Sequence, residues 1–431
     1  MPSLFSPRCE PSVSPVSIDG SQNTHGLPAR RSWTVAGRLD SLVSRVLGAA
    51  AILAALVLVP ACGGGVGTGG TGTYAAGPIV GFGSIIVGSV RYDESQAVIS
   101  NDSGQSLAVA DLKLGTSVEV EAGEVTVDAT GASVARAQRV RVASELVGPV
   151  TDVLASQGKL TVLGQTVLIG PDTVFDRGLM GGLVAVRVGS VLEIHARFDA
   201  TGPRYIATRI EPAASGAAWK IRGPVTSVDA ASASVTIGGA TFGFAAGSLP
   251  AEAVTGQVIR LQLQSSSANP PGRFMVSSSA AAPAVQDDRD DARLSGLVSA
   301  VASVNAFTVD GVRVNAAQAL FPNGSAGLKV GARVEVRGVV VGGQLKAQEV
   351  KVLTDALAQA REFEFKGLIE SVDTVAKTFV LRGTTIGYAQ PNLKLEGGTV
   401  AQIATGRSVE VKAVASTVDR ARVDAVEIKF R

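Results

Sequence analysis

Apolar and polar residues alternate along this chain in short runs, with a period of two, and the runs recur. The most regular stretch is Phe307-Thr308-Val309, then Asp310-Gly311, then Val312-Arg313-Val314. Alternation around a two-residue Asp-Gly loop predicts a β-hairpin, because such a loop needs positive φ at its centre. The same place is held by Gly88-Ser89, Leu163-Gly164, Gly238-Gly239 and Arg382-Gly383. A Gly-led strand precedes each hairpin: Gly77-Pro78-Ile79-Val80, Gly148-Pro149-Val150-Thr151, Gly223-Pro224-Val225-Thr226, Gly296-Leu297-Val298-Ser299 and Gly367-Leu368-Ile369-Glu370. A glycine, two residues and an alternating apolar pair follow it: Gly115 with Val118 and Val120, Gly189 with Leu192 and Ile194, Gly256 with Ile259 and Leu261, Gly331 with Val334 and Val336, Gly406 with Val409 and Val411. A last strand closes most copies, as in Ala347-Gln348-Glu349-Val350-Lys351-Val352, and the third copy is degenerate there, at Arg273-Phe274-Met275-Val276.

The chain is therefore an internal repeat of five units. About five strands per unit are too few for a two-layer sandwich but enough to close a small barrel, which removes edge strands. The expected fold class is all-β, a tandem array of about five small five- to six-stranded OB-like barrels. The expected boundaries are 77–145, 146–212, 219–276, 293–353 and 363–431, with a linker near 213–218 and another near 354–362. The segment 277–292 reads as an acidic, Ala/Ser-rich linker containing Asp287, Asp288, Asp290 and Asp291. These aspartates could hold calcium, but the fixed glycine and distal glutamate of a calcium loop are missing, which favours a solvated linker. Each inward pair, such as Val334 and Val336, is expected to fill one copy's core and no other. The residues between the pairs (Glu119, Glu193, Arg260, Glu335 and Glu410) should face water.

The N-terminal part reads as an address. Arg38 and Arg45 precede an uncharged apolar stretch, Val46 to Val59, that suits a signal-peptide core and is short of a bilayer span. It ends Val59-Pro60-Ala61-Cys62, which resembles the lipobox of bacterial lipoproteins. That resemblance implies cleavage after Ala61 and lipid attachment at Cys62, whose thiolate accepts the lipid. The competing reading is an ordinary signal peptide cut at A-x-A with an incidental Cys62. Against it, Cys62 is the only cysteine after the cleavage point, and a Gly/Thr run follows it as a flexible tether over 62–76. Residues 1–61 are thus a signal peptide with an upstream extension, translation being expected to begin near Val35. By the sorting rule common in enteric bacteria, Gly63 after the cysteine favours an outer-membrane lipoprotein facing the periplasm.

At Gly77 to Val87 and on through Val90-Arg91-Tyr92-Asp93 the chain resembles the bacterial family called domain of unknown function 5666. The resemblance covers residues 77–430 and is read as closest in the first copy, where Gly88-Ser89 replaces the usual Asn-Gly, and weakest in the third. It implies tandem β-rich copies and an envelope location. It implies no activity, and no functional residues carry over.

Rare residues narrow the chemistry. The two cysteines are Cys9 and Cys62, so the processed chain holds one thiol and one histidine, His195, and no internal disulfide. A zinc, haem or iron–sulfur centre is not expected, nor is any cofactor. The chain has 39 basic and 37 acidic residues, and removing 1–61 leaves 34 of each. No Lys/Arg cluster stands out, and nucleic acid is not an expected partner. His195 is read as a structural residue on a solvated strand face beside Glu193. Phe82, Tyr92 and Trp219 are the candidate aromatic platforms, with barrel core as the favoured role. No catalytic residue is assigned. The expected function is a lipid-anchored, non-enzymatic binding or scaffolding protein, with an envelope polysaccharide or protein as partner. The alternative is an envelope hydrolase acting on a polysaccharide through carboxylates.

Overall fold

The computed structural model describes residues 70–264, 273–281, 288–353 and 362–431. The signal segment, Cys62, the tether as far as residue 69, and linker residues 282–287 and 354–361 lie outside them. The described chain is all β, and each of the five copies is a closed barrel. In copy two the strands are Leu146–Leu154, Lys159–Val162, Gln165–Phe175, Val191–Asp199 and Arg204–Pro212. The first pairs with the second and the second with the third, both antiparallel. The third runs parallel to the fifth, the fifth antiparallel to the fourth, and the fourth antiparallel to the first, closing the ring. The same circuit closes copy one and copy four. In copies three and five the first strand is interrupted, into Trp219–Pro224 with Ser227–Asp229 and Phe363–Leu368 with Ser371–Asp373. Their circuits close the same way.

The hairpin pairs fall where the alternation puts them. Val87 faces Val90, Val162 faces Gln165, Ile237 faces Ala240, Val309 faces Val312 and Leu381 faces Thr384. At three of these turns both residues have positive φ: Leu163 and Gly164 (52° and 71°), Asp310 and Gly311 (45° and 85°), Arg382 and Gly383 (50° and 69°). The mirror-image turn matches the twist of the strands strongly enough to hold a leucine and an arginine in the left-handed region.

Two boundaries differ from the sequence reading. The first strand of copy one starts at Gly70 and runs to Phe82, so residues 70–76 belong to the body and not to the tether. Thr73 to Ala76 pair with Glu119–Ala122 of their own barrel on one side and with Asp291–Leu294 of copy four on the other. The Gly/Thr composition serves close backbone approach here, since a Cβ on Gly72 would lie 2.9 Å from the Ala122 carbonyl oxygen. The acidic linker is likewise strand at both ends. Arg273–Ala281 closes copy three and Arg289–Ser303 opens copy four. Residues 213–218 form a turn without strand between copies two and three.

The five barrels also share cores, which corrects the expectation that each fills its own. One apolar cluster joins copies one and five, running from Ile79, Phe82 and Ile85 to Phe365, Phe379 and Val411. A second joins copies two and three. The third is copy four's own, Val334 and Val336 included, and Tyr74 of copy one joins it opposite Ala292. First strands make the junctions: Gly81 and Phe82 pair with Glu364 and Phe365, and Leu146 and Val147 pair with Ile221 and Lys220.

Removing Phe365, which is buried with its ring centroid 6.1 Å from that of Phe82, the two rings tilted by 39°, tests the shared core. Phe365→Ala should cost about 3–5 kcal/mol. Amide exchange should then rise in both Ile85–Val87 of copy one and Thr378–Leu381 of copy five, while Ser234–Ile237 of copy three keeps its protection. Unchanged exchange in copy one would mean that the two cores are separate.

Candidate functional site

Strand pairing aims the outer face of each first strand at a neighbouring barrel, and four copies meet around a cavity of about 70 Å³. Its polar lining includes Tyr74, Ser117 and Glu119 from copy one, Glu145 and Arg197 from copy two, Arg222 from copy three, and Ser295 and Asp310 from copy four. Arg222 is the hub. Its guanidinium lies 3.8 Å from Glu119 Oε1 and 3.6 Å from Glu145 Oε1. Arg141 reaches the other oxygen of Glu119 from the adjacent strand. Glu119 is therefore buried, and the expectation that it faces water fails because a second barrel covers its face.

Glu145 accepts from the Ala196 amide at 2.7 Å and from the Ser117 hydroxyl at 3.2 Å. Burial pushes its carboxyl up to about 7, against the pull of Arg222 and of the Ala196 amide. Asp310 accepts from the Leu297 amide at 3.3 Å, and burial pushes it up to about 6 against Arg197. Burial works against the charge on Arg222 as well, but Glu119 and then Glu145 outweigh it and hold its pKa above the ordinary value. The hydroxyls of Tyr74 and Ser295 are buried without a hydrogen-bond partner. Burial, reinforced by Glu119, raises the Tyr74 phenol well above its usual range.

His195 is not on a solvated face. A bulge after it, where His195 pairs with Arg209 and Ala196 with Ala207, accompanies its burial against copy one. The Ser117 amide donates to its Nδ1 at 3.2 Å, which leaves the proton on Nε2, 4.0 Å from Glu211 Oε1. Burial pushes its pKa down to about 4, against Glu193 and Glu211. Arg209 beside it joins Asp176 at 2.7 Å and Glu211 at 2.9 Å. Copy three reaches copy one through Lys220, whose ammonium holds both oxygens of Asp102 at 2.9 Å.

The remaining candidates take structural places. Phe82 and Tyr92 are buried core, and Trp219 is half-buried against the core of copies two and three. Asp291 is held by Arg293 and Arg337, and Asp288 accepts from the Gly342 amide at 2.8 Å. Among the described residues no group of three or more His, Cys, Asp or Glu side chains is placed to hold a metal ion. A wider groove of about 440 Å³ runs between copies one and five. Arg91 of copy one pairs across it with Glu364 of copy five at 2.5 Å, and Lys366 pairs with Glu410 on the adjacent strand of copy five at 3.3 Å.

The repeat and the barrel circuit agree with a comparison against known families. The family model described as Domain of unknown function (DUF5666) matches residues 147–211, 295–351 and 366–429. The chain carries DUF5666 domains in tandem. The matched segments are copies two, four and five, so the resemblance read as closest in copy one is carried by its siblings. Copy one departs from them by an additional short strand, Thr126–Val127, paired antiparallel with Val134 and Ser133. No curated protein matches the chain.

The four-barrel seam was missed in the sequence because its members are ordinary outward charges of separate copies. The available signal is a position. Three residues before each opening glycine stand Tyr74, Glu145, Lys220, Arg293 and Glu364, different in kind where the apolar frame is constant.

Glu145 makes the seam sensitive to pH. Between its unfolded pKa, about 4.3, and about 7, the folded state holds a proton that the unfolded state has released, so rising pH costs stability until the folded carboxyl ionises. Glu145→Gln removes that loss. Its stability relative to the parent should improve by about 1 kcal/mol between pH 6 and pH 8, read by chemical denaturation at each pH. A difference that stays constant would show that Glu145 does not titrate there.

Proposed function

We propose that this DUF5666 protein is a lipid-anchored, non-enzymatic scaffold or binding body of the bacterial cell envelope, held at the outer membrane through Cys62. The observation that supports the non-enzymatic reading of the seam is its size. Its cavity of about 70 Å³ is well below the roughly 300–1,000 Å³ of small-molecule pockets, so a sugar ring does not reach Glu145 and Asp310. These perturbed carboxylates join barrels together. They face Arg222 and Arg197 of neighbouring copies and backbone amides of their own, where a hydrolase would leave them facing substrate.

The anchoring part rests on Val59-Pro60-Ala61-Cys62 and on the place where the folded body begins. Only residues 63–69 separate Cys62 from the strand that starts at Gly70. At ~3.5 Å per residue, seven residues reach about 25 Å at most. A lipid on Cys62 would thus hold the five-barrel body close to the bilayer surface, with its outer faces turned to envelope polysaccharide or protein.

Cys62→Ser should give an unprocessed, unacylated precursor, because a hydroxyl is a poor lipid acceptor. Mass spectrometry of the N-terminal peptide and membrane fractionation read this directly. Normal cleavage and membrane retention in the variant would remove the anchor from the reading. Incubation with envelope polysaccharides and peptidoglycan fragments should yield no turnover. Turnover lost in Glu145→Gln or Asp310→Asn would establish the hydrolase alternative instead.

A further inference from the structure

Copy two carries an elaborated loop between its third and fourth strands. It contains two short 3-10 turns, Arg177–Leu179 and Gly182–Ala185. Leu179, Leu183 and Val186 point inward and join the core of copies two and three. Met180, Val184 and Val188 point the other way and are 69%, 70% and 65% exposed. On the loop of copy five that carries Arg420, Val418 is 82% exposed. The two loops touch. Arg420 lies against Gly182, where a Cβ would come within 3.3 Å of it, and its guanidinium donates to the Gly170 and Pro171 carbonyls at 3.0 and 3.2 Å.

Single exposed valines are ordinary on a protein surface. Four large apolar side chains exposed on two touching loops are more than a scattered single residue. Two arginines accompany them. Arg177 and Arg187 are exposed on the same loop, and Arg187 also donates to the Val184 carbonyl at 2.7 Å. The carboxylates of the two loops are engaged, Asp176 by Arg209 and the Gly178 amide, Asp419 by the Ala421 amide.

We infer that this patch seats on an anionic lipid bilayer, with Met180, Val184, Val188 and Val418 entering the boundary between headgroups and acyl chains and Arg177 and Arg187 meeting lipid phosphates. Apolar side chains that stand proud of the surface, flanked by arginines, match the layered chemistry of a membrane interface. A guanidinium suits a phosphate through paired donors. The inference rests on the anchored reading above, in which a short tether keeps the body near a bilayer. It adds that the body has a defined membrane-facing side, made by copies two and five.

The full chain, carrying a fluorophore on Val184→Cys, Val418→Cys or the control Val375→Cys, is mixed with phosphatidylglycerol-rich vesicles bearing nitroxide on their acyl chains. The unsubstituted chain supplies the background from Cys9 and Cys62. Labels at positions 184 and 418 should be quenched and blue-shifted, and the control label at 375 should stay in water. Adding Met180→Ser with Val188→Ser should raise the vesicle concentration for half-maximal quenching about tenfold, and Arg177→Gln with Arg187→Gln should remove the preference for anionic lipid. Equal quenching at all three positions, or none at 184, overturns the inference. Acylation of Cys62, read separately by mass spectrometry, decides the anchor whatever the labels report.

Discussion

Each barrel closes through one clasp. The glycine before the fourth strand donates its amide to the first strand: Gly115 to Ile79, Gly189 to Val150, Gly256 to Val225, Gly331 to Val298 and Gly406 to Ile369, at 2.7–2.9 Å. The first-strand residue donates back to the carbonyl just after the glycine, again at 2.8–2.9 Å. All five glycines have φ between 82° and 88°, a region where a side chain strains the backbone. The clasped residues, Ile79, Val150, Val225, Val298 and Ile369, are fully buried. The clasp therefore does two things in each copy. It shuts the ring, leaving no open edge between first and fourth strands, and it pins the apolar residue at the barrel's centre. With the first strand fixed in this way, its upstream part is free to pair with another copy.

What the sequence shows of the fold follows from the same physics. Period-two alternation and two-residue turns report which side of a strand faces its own barrel, and those features were legible residue by residue. Whether the opposite side faces water or a second barrel was not. Glu119 and His195 both alternate as outward residues and are both buried. Gly70 to Ala76 reads as tether because small residues also make flexible linkers, and the requirement for a small residue at Gly72 comes from a backbone distant in sequence. The acidic run failed for a related reason. Asp291 looks solvated until Arg293 and Arg337 are seen on either side of it.

Of the candidate site, the parts were visible and the assembly was not. Identical frames with different residues at one outer position give each copy its own neighbour. Glu145 meets Arg222, Lys220 meets Asp102, and Glu364 meets Arg91. An unpaired charge in such a seam would be costly, so mismatched copies are disfavoured and one arrangement of similar barrels is selected. Conversely, the seam explains how repeats with nearly the same core avoid swapping places.

The sharing of one core by copies one and five gives the chain a temporal property. Ribosomes make proteins from the N-terminus, at roughly 5–20 residues per second in bacteria-like conditions. Copy one is complete at Val142, but Phe363 and Phe365, which cover its apolar side, come more than two hundred residues later. The first barrel lacks its cover until the last copy has emerged, in the company of copies that resemble the missing one. A chain cut short anywhere before copy five leaves that side bare, so a truncated product exposes its own incompleteness to proteases and chaperones at the end that was made first.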